Sequence, residues 1–381
     1  MKERIVRVTA VLALIAGLEF LQPIPGRACS AFVMTKGDRV LFGRNFDFFT
    51  GLGFVTTNPR NTAKTALVFP GNTPAQWVSK YGSVSFNQIG RDFPMGGMNE
   101  AGLVVECLWL FDARYPAPDA RPGLTELQWI QYQLDNCRTV EDVLASDSLV
   151  RIVPSETKLH FLVCDRTGKA GVVEFIGGKS VLYGPDRLPV KALANNSYQQ
   201  CAEALKTFQG FGGTKPIPDS PESTERFARM ATAIRNFGPD RGQADIEDAF
   251  RILKTVRYEG AESPTQWSII YDPTHLEIHF ETRDVAVRRT IKVGGFDFAC
   301  AAAVKVLDLE AKDAGDVTKA FADYSAEANR EHTRSIFGLF QKAGYAQDIP
   351  EIAVAFVGAY PESTRCQASA AKSEGTGSQE P

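Results

Sequence analysis

The sequence lacks the features that mark a protein that binds nucleic acid or zinc. Lys and Arg number 42 against 45 Asp and Glu, and the formal net charge of the 381 residues is −3. A phosphate-binding surface normally carries a basic excess, so nucleic acid is not an expected partner. There is no Cys-x-x-Cys pair and no Cys/His cluster. His275 and His279 form "HLEIH" in a predicted strand, whereas a zinc motif of that spacing needs a helix. We therefore expect no metal site.

Long apolar runs are also absent, apart from one near the N-terminus. Three basic residues precede an almost wholly apolar run over residues 8–21, and Gly26 and Ala28 stand at positions −3 and −1 of a cleavage site. These are the parts of a secretory signal, so we predict that residues 1–28 are a signal peptide and that the mature chain is periplasmic or secreted. A membrane anchor is the alternative, but the run is short for a span of about 20 residues.

The number of cysteines is odd, at seven, so at least one thiol is unpaired in a monomer. An export signal permits disulfides, but the spacing of these residues leaves the pairing open. Cys107, Cys164 and Cys300 lie in apolar segments, and we expect them to be small residues of the core.

Short apolar segments joined by turns predict β-hairpins over residues 29–48, 159–176 and 267–281. Apolar residues at spacings of three and four predict helices between the hairpins, over residues 124–137 and 246–256 among others. Antiparallel hairpins separated by blocks of helix indicate an α+β protein and not the regular alternation of a parallel sheet.

The domain organisation follows from composition. The chain is 44% hydrophobic, which is enough for a large core, and no repeat or linker divides it. We therefore expect one domain over residues 29–361. The last segment, residues 362–381, is small and polar, and we expect it to be disordered.

Cleavage after Ala28 would leave Cys29 with both a thiol and a free α-amine. The unperturbed pKa of an α-amine is about 7.7–8.0, so the amine can exchange protons near neutral pH and act as the base for its own thiol. Arg44 and Asp47, on the second strand of the first hairpin, are candidate partners for the thiol and the amine. They differ by three positions, so a regular strand points them to opposite faces, and we expect a bulge or bend there.

Other interpretations of these residues stay open. Cys29 as a buried structural thiol is one, and Cys29 as the lipidated residue of a lipoprotein is another, although the charged Arg27 does not suit a lipidation signal. Arg44 and Asp47 would otherwise form an ion pair at a strand end, which contributes little.

Four segments in order along the chain carry a family resemblance. They are "CSAFVMTKGDRVLFGRNFDF" from Cys29, "MNEAGL" over residues 98–103, "ANNSY" over residues 194–198 and "ERFAR" over residues 225–229. Together they resemble the choloylglycine hydrolase family, N-terminal-nucleophile hydrolases that include penicillin V acylases and bile salt hydrolases. The resemblance implies a four-layer αββα sandwich of antiparallel sheets and hydrolysis of a linear amide without a cofactor.

The resemblance also implies roles for individual residues. Cys29 would be the nucleophile and, through its amine, the base, with Arg44 near the sulfur and Asp47 binding the amine. Asn195 would donate to the oxyanion, although the adjacent Asn196 is an alternative. Arg226 would support the site electrostatically.

The departures from the family bear on the substrate. Trp109 stands where bile salt hydrolases have an asparagine, and the indole makes the substrate pocket more aromatic and apolar. This weakens the bile salt alternative and suggests an aromatic or fatty acyl group on a small N-acyl amide. A homotetramer, implied by the resemblance, and a non-catalytic exported binding protein also stay open.

Overall fold

The computed structural model of the protein describes residues 29–155, 157–236, 245–345 and 349–367. The predicted signal peptide, residues 1–28, and the end of the predicted tail, residues 368–381, lie outside these ranges. Two large sheets and the helices that cover them make up most of the described chain.

Sheet I contains the predicted N-terminal hairpin, which turns at Gly37 with a φ of 60°. Within the described residues it has seven strands, all antiparallel except for the last pair. In spatial order they are β14 (Ala192–Leu193), β1 (Ser30–Lys36), β2 (Arg39–Asp47), β15 (Thr265–Asp272), β16 (Glu277–Thr282), β17 (Arg289–Lys292) and β19 (Gly315–Asp316).

Sheet II is antiparallel and has nine strands in the part of the chain that the structure describes. In spatial order they are β13 (Lys179–Tyr183), β12 (Ala170–Ile176), β11 (Leu159–Cys164), β8 (Val104–Trp109), β7 (Pro94–Asn99), β6 (Ser83–Asn87), β3 (Phe54–Asn58), β18 (Lys305–Asp308) and β20 (Ala322–Asp323). Short strands beside it are β4 (Thr62–Thr65), β5 (Gln76–Val78), β9 (Gly123–Leu124), β10 (Arg151–Ile152) and β21 (Arg365–Cys366).

Helices cover the outer face of each sheet. Helices α1 (Glu126–Asn136) and α2 (Val140–Ala145) pack on sheet II. On the other side α4 (Ser223–Asn236) and α5 (Ile246–Thr255) pack on sheet I, with α3 (Tyr198–Leu205) against α4. This arrangement confirms the predicted four-layer αββα sandwich.

The inner faces of the two sheets form the central core, where aromatic rings meet across the layers. Phe86 of sheet II lies edge-to-face with Tyr271 and Phe280 of sheet I, at centroid distances of 6.2 and 5.5 Å. A second apolar cluster lies between sheet II and α1. Both sheets are therefore held by burial on each face, which fixes their strand register.

The C-terminal part corrects two sequence predictions. After sheet II come α6 (Ala326–Lys342), α7 (Glu351–Ala359) and β21, which pairs with β4. Cys366 of β21 forms a disulfide with Cys300, 66 residues earlier. The prediction that the chain is disordered from residue 362 is therefore wrong for residues 362–367, because pairing and the cross-link hold them. The prediction of Cys300 as a core thiol is wrong for the same reason.

None of the helices in the described ranges has the length and apolar character needed to cross a bilayer.

Candidate active site

Cys29 lies immediately before β1, at the end of sheet I, and only 1% of it is exposed. Because Ser30 pairs with Asn45, Cys29 lies beside the end of β2. The thiol donates toward the carbonyl oxygen of Asp47, with Sγ 3.8 Å from that oxygen. The hairpin predicted from the sequence therefore places the cysteine next to the end of its partner strand.

Arg44 lies on the inner face of sheet I and is held by sheet II. Its Nε lies 2.5 Å from Oε2 of Glu106, and its Nη2 donates to the carbonyl oxygen of Cys107 over 2.9 Å. The hydroxyl of Tyr271 donates to the other oxygen of Glu106 over 2.5 Å. Burial raises the pKa of Glu106 to about 7, although the positive charge of Arg44 acts in the opposite direction. Glu106 thus holds the guanidinium in one position.

Asp47 contacts Thr265, whose hydroxyl donates to Oδ1 of Asp47 over 2.5 Å. No donor among the described residues reaches the other carboxylate oxygen, Oδ2, which is buried. Burial raises the pKa of Asp47 to about 7 against the effect of this hydrogen bond and of Arg226. The carboxylate therefore has an unused buried acceptor next to the cysteine.

The expected irregularity lies in the pairing of β2 with β15, at the end of β2. The register shifts between Thr265, opposite Asp47, and Trp267, opposite Phe46, so Gln266 is the extra residue. The bulge or bend expected near the end of β2 is therefore present, opposite Asp47. Arg44 contacts Glu106 of sheet II, Asp47 contacts Thr265 of β15, and Cys29 lies next to the end of the strand that carries both.

The charges around Cys29 act on its thiol in opposite directions. Burial raises the pKa of the thiol, the positive charge of Arg44 lowers it, and the carboxylate of Asp47 raises it. A thiol in this environment needs an adjacent base to ionise, because burial disfavours the charged form.

Arg226 joins three parts of the site. Its Nη1 donates to the carbonyl oxygen of Cys29 over 2.7 Å and to the hydroxyl of Ser30 over 2.6 Å, and its Nη2 donates to Oδ1 of Asn195 over 2.7 Å. Burial lowers the pKa of this guanidinium. The arginine from α4 therefore connects the chain at Cys29 to the segment before α3.

Asn195 is the asparagine that belongs to this network. Its Nδ2 donates to the carbonyl oxygen of Trp109 over 2.9 Å, which leaves a second N–H on the same nitrogen. Asn196 instead donates its amide to Gln200 on α3. The geometry thus places Asn195, and not Asn196, beside Arg226.

The side chain of Trp109 lies parallel to Phe111, at a centroid distance of 6.4 Å, and lines a cavity that also contains Cys29 and Arg44. The cavity volume is about 220 Å³, many times the roughly 10–15 Å³ that one water needs. Most of its lining is apolar. The apolar lining residues that precede the C-terminal helices are Phe46, Phe48, Leu67, Val68, Phe69, Ile89, Phe93, Met95, Leu108, Leu127 and Leu159.

Sequence reasoning missed Glu106, Thr265, Tyr271 and Ser223. The hydroxyl of Ser223 accepts from the backbone N–H groups of Asn195 and Asn196, which fixes that turn. One feature of the sequence could have identified Glu106 as a site residue: it is a lone acidic residue within the apolar strand sequence "VVECLW". No group of three or more potential metal-ligating side chains occurs in the ranges that the structure describes.

Comparison with known proteins matches this chain to one family. Residues 29–293 match the family described as linear amide C–N hydrolases, choloylglycine hydrolase family. A penicillin V acylase from Pectobacterium atrosepticum is 27% identical over 250 residues, which cover 56% of this chain and 66%, slightly under two thirds, of that protein.

Two solved structures share the fold. The structure of penicillin V acylase from Agrobacterium tumefaciens is 27% identical, with a TM-score of 0.68, and the match covers 78% of this chain and 98% of that one. A variant of the conjugated bile acid hydrolase from Clostridium perfringens is 20% identical, with a TM-score of 0.62 over 74% of this chain and 97% of that one. With the family match over most of the described chain, we conclude that the protein belongs to the choloylglycine hydrolase family of linear amide C–N hydrolases.

Proposed function

We propose that the mature protein hydrolyses the amide bond of small N-acyl substrates, as a penicillin V acylase-like enzyme, through a thioester on Cys29. The observation that carries the proposal is the position of Cys29 at one end of an apolar cavity, beside a buried carboxylate with an unused oxygen. The matched family range also begins at Cys29.

The amine released by cleavage after Ala28 fits the unused acceptor. An ammonium group donates up to three hydrogen bonds, and Oδ2 of Asp47 is a buried acceptor next to Cys29. The same amine in its neutral form takes the thiol proton, so the base needs no histidine. Arg44 stabilises the thiolate that forms.

The reaction then has two steps. In the first, the thiolate attacks the amide carbonyl, the oxyanion accepts a hydrogen bond from Nδ2 of Asn195, and the α-ammonium of Cys29 gives its proton to the leaving nitrogen. The C–N bond breaks and a thioester remains. In the second, water attacks the thioester carbonyl, the amine takes a proton from the water, and the carboxylic acid leaves as the thiol forms again. An oxyanion donor of this kind contributes a factor of about 10²–10³ in rate.

Export is part of the proposal, with the mature chain in the periplasm or outside the cell. The disulfide between Cys300 and Cys366 supports it, because such bonds persist in oxidising compartments. Release of the free amine of Cys29 would then coincide with removal of the signal peptide. The oligomeric state that we favour is the homotetramer implied by the resemblance.

Bile salt hydrolysis is the alternative substrate class, since a conjugated bile acid hydrolase shares the fold. The indole of Trp109, which lines the cavity, favours a smaller or more flexible acyl group than a steroid. Rates on penicillin V and on a conjugated bile salt decide between them, and a faster rate on the bile salt would overturn our choice.

The first experiment is the intact mass and N-terminal sequence of the exported protein, followed by assays of Cys29→Ala and Cys29→Ser. We expect an unmodified chain that starts at Cys29, activity in that form, and loss of activity in both variants. A chain that starts elsewhere, a lipid on Cys29, or full activity in Cys29→Ala would each contradict the mechanism. A covalent acyl adduct trapped on Cys29 excludes a non-catalytic binding protein.

A further inference from the structure

One wall of the cavity comes from a part of the chain beyond the residues that the family model matches. The family match ends at residue 293, whereas α6 and α7 begin at Ala326 and Glu351. This helix pair, with Tyr345 and Ile349 from the described residues between its helices, presents an apolar face to the cavity. The face consists of Phe337, Phe340, Tyr345, Ile349, Ala353 and Val357.

Aromatic side chains connect this wall to the reactive end of the cavity. The guanidinium carbon of Arg44 lies 4.8 Å from the ring centroid of Phe46, and the rings of Phe46 and Phe48 are 5.7 Å apart. Phe48 in turn contacts Phe340 and Tyr345, at 5.8 and 5.4 Å. The apolar surface is therefore continuous from the site of Cys29 to the helix pair.

Hydrogen bonds and a disulfide connect the helix pair to the rest of the described chain. His332 donates from its ring to the carbonyl oxygen of Gln88 over 2.7 Å. Asn329 donates to the carbonyl oxygen of Gly358 over 2.7 Å and accepts from the backbone N–H of Arg91 over 3.0 Å, so it joins α6 to α7 and to the loop before β7. The disulfide holds the segment that follows α7. These contacts make the wall a permanent side of the cavity.

Few polar groups in the cavity are available to a polar substrate group. The carboxylate of Glu126 accepts from the backbone N–H and the hydroxyl of Ser155, both over 2.7 Å. The amide of Gln88 donates to the carbonyl oxygen of Thr50. A cavity of this kind stabilises its ligand mainly by removing apolar surface from water.

We propose that α6 and α7 bind the distal part of an extended aliphatic acyl chain and set the chain length that the enzyme prefers, which makes long-chain N-acyl amides its substrate class. This inference rests on the proposed function, because the acyl carbonyl must lie at Cys29. An extended chain follows the continuous surface from Phe46 to Val357, whereas a single aromatic ring covers only part of it.

The test compares kcat/KM on straight-chain N-acyl amides of increasing acyl length with one common amine. In the parent enzyme we expect a rise of about fourfold per methylene until the cavity is filled, the factor that corresponds to about 0.8 kcal/mol per buried methylene. A flat profile, or a fall from the shortest chain onward, would overturn the proposal without affecting the Cys29 mechanism.

Two variants test whether the helix pair sets the preference for acyl-chain length. Ala353→Phe and Val357→Trp fill the cavity from α7, and we expect both to reduce kcat/KM far more for long chains than for short ones, so that the rise with chain length disappears. Ile352→Trp is the matched control, because Ile352 lies on the same helix with 48% of its surface exposed. Thermal unfolding of each variant checks the fold. An equal loss at every chain length, or an unchanged profile in both folded variants, would refute the assignment.

Discussion

Arg226 and Asn195 lie side by side next to Cys29, with Nη2 of Arg226 donating to Oδ1 of Asn195 over 2.7 Å. This bond orients the amide, so that its nitrogen, and not its oxygen, is directed toward the carbonyl oxygen of Trp109. A charged donor fixed on the amide oxygen also polarises the N–H groups that would serve an oxyanion.

Replacing Asn195 should therefore remove the oxyanion donor. We expect Asn195→Ala to lower kcat by a factor of about 10²–10³ with little change in KM, because the donor acts mainly in the transition state. Asn196→Ala is the control, since the side-chain amide of Asn196 donates to its helix neighbour Gln200. Steady-state kinetics on one substrate measures kcat and KM for both variants. A larger loss of kcat in Asn196→Ala than in Asn195→Ala would make Asn196 the oxyanion donor.

A second prediction concerns the support of Arg44 by Glu106. A methyl group at Gly96 would lie 2.1 Å from Cδ of Glu106, whose oxygens are held by Arg44 and Tyr271. We expect Gly96→Ala to displace Glu106 and with it the guanidinium. The cost should be about 10²-fold in kcat/KM, as for other small misplacements of a catalytic group.

The pH dependence of Cys29 alkylation distinguishes this effect from a loss of fold. Because Arg44 lowers the thiol pKa, its displacement should move the alkylation midpoint to higher pH. Gly294→Ala is a matched control, because the space around Gly294 is open. An unshifted midpoint in a folded Gly96→Ala protein would show that Glu106 does not position Arg44.

A third prediction concerns the effect of the Asp47 pKa on stability in the blocked chain, in which Ala28 still precedes Cys29 and the amine is not free. Burial raises the pKa of Asp47 from 3.8 to about 7, so the folded state binds more protons than the unfolded state between these values. This stabilisation is complete below pH 3.8 and is lost as the pH rises through 7. Asp47→Asn does not ionise, so above pH 7 it should be more stable than the parent in this blocked chain.

In the mature chain the sign reverses, because the α-ammonium of Cys29 pairs with the carboxylate. There Asp47→Asn should lower the free energy of unfolding near neutral pH and abolish activity. Chemical denaturation of both forms at several pH values gives the measurement. The same effect of Asp47→Asn in the blocked and mature chains would mean that the amine does not bind Asp47.

A fourth prediction concerns the cross-link between Cys300 and Cys366. Closing a loop of 66 residues stabilises a folded chain by about 4 kcal/mol through the entropy of the unfolded state. Cys366→Ser should therefore lower the free energy of unfolding by about 2–4 kcal/mol. Reductant should bring the parent to the level of the variant and leave the variant unchanged, whereas an equal effect of reductant on both would contradict the prediction.

The sequence predicted the site as far as its local patterns reach. The hairpin over residues 29–48 and the helical spacing within α5 are local patterns, and the hairpin placed Cys29 beside the end of β2. Asn195 and Arg226 entered only through short motifs of a known family, because they lie 166 and 197 residues after Cys29 and no periodicity relates them to it.

What the sequence did not predict depends on contacts between distant segments. Glu106 contacts Arg44 because the two sheets pack face to face. The alternation of side chains along a strand indicates which face of the strand is buried, but it does not indicate which residues of the other sheet that face contacts. The pairing of Cys300 with Cys366 and the position of α6 and α7 against the cavity arise in the same way. The irregular pairing at Gln266 of β15 could not be located from the sequence of β2, because the extra residue belongs to the other strand.

The helix pair α6 and α7 lies beyond residues 29–293, which the family model matches, and this position bears on how such an enzyme can diversify. Cys29, Arg44, Asp47, Asn195 and Arg226 all lie within residues 29–293, whereas the wall formed by α6 and α7 lies beyond them and is tied down by its own covalent link. On the proposed function, the residues that break the bond and one wall of the acyl cavity are thus encoded in separate stretches of one gene. Exchange of the C-terminal stretch, by recombination or by design, is a route to new substrates that leaves the reaction chemistry intact.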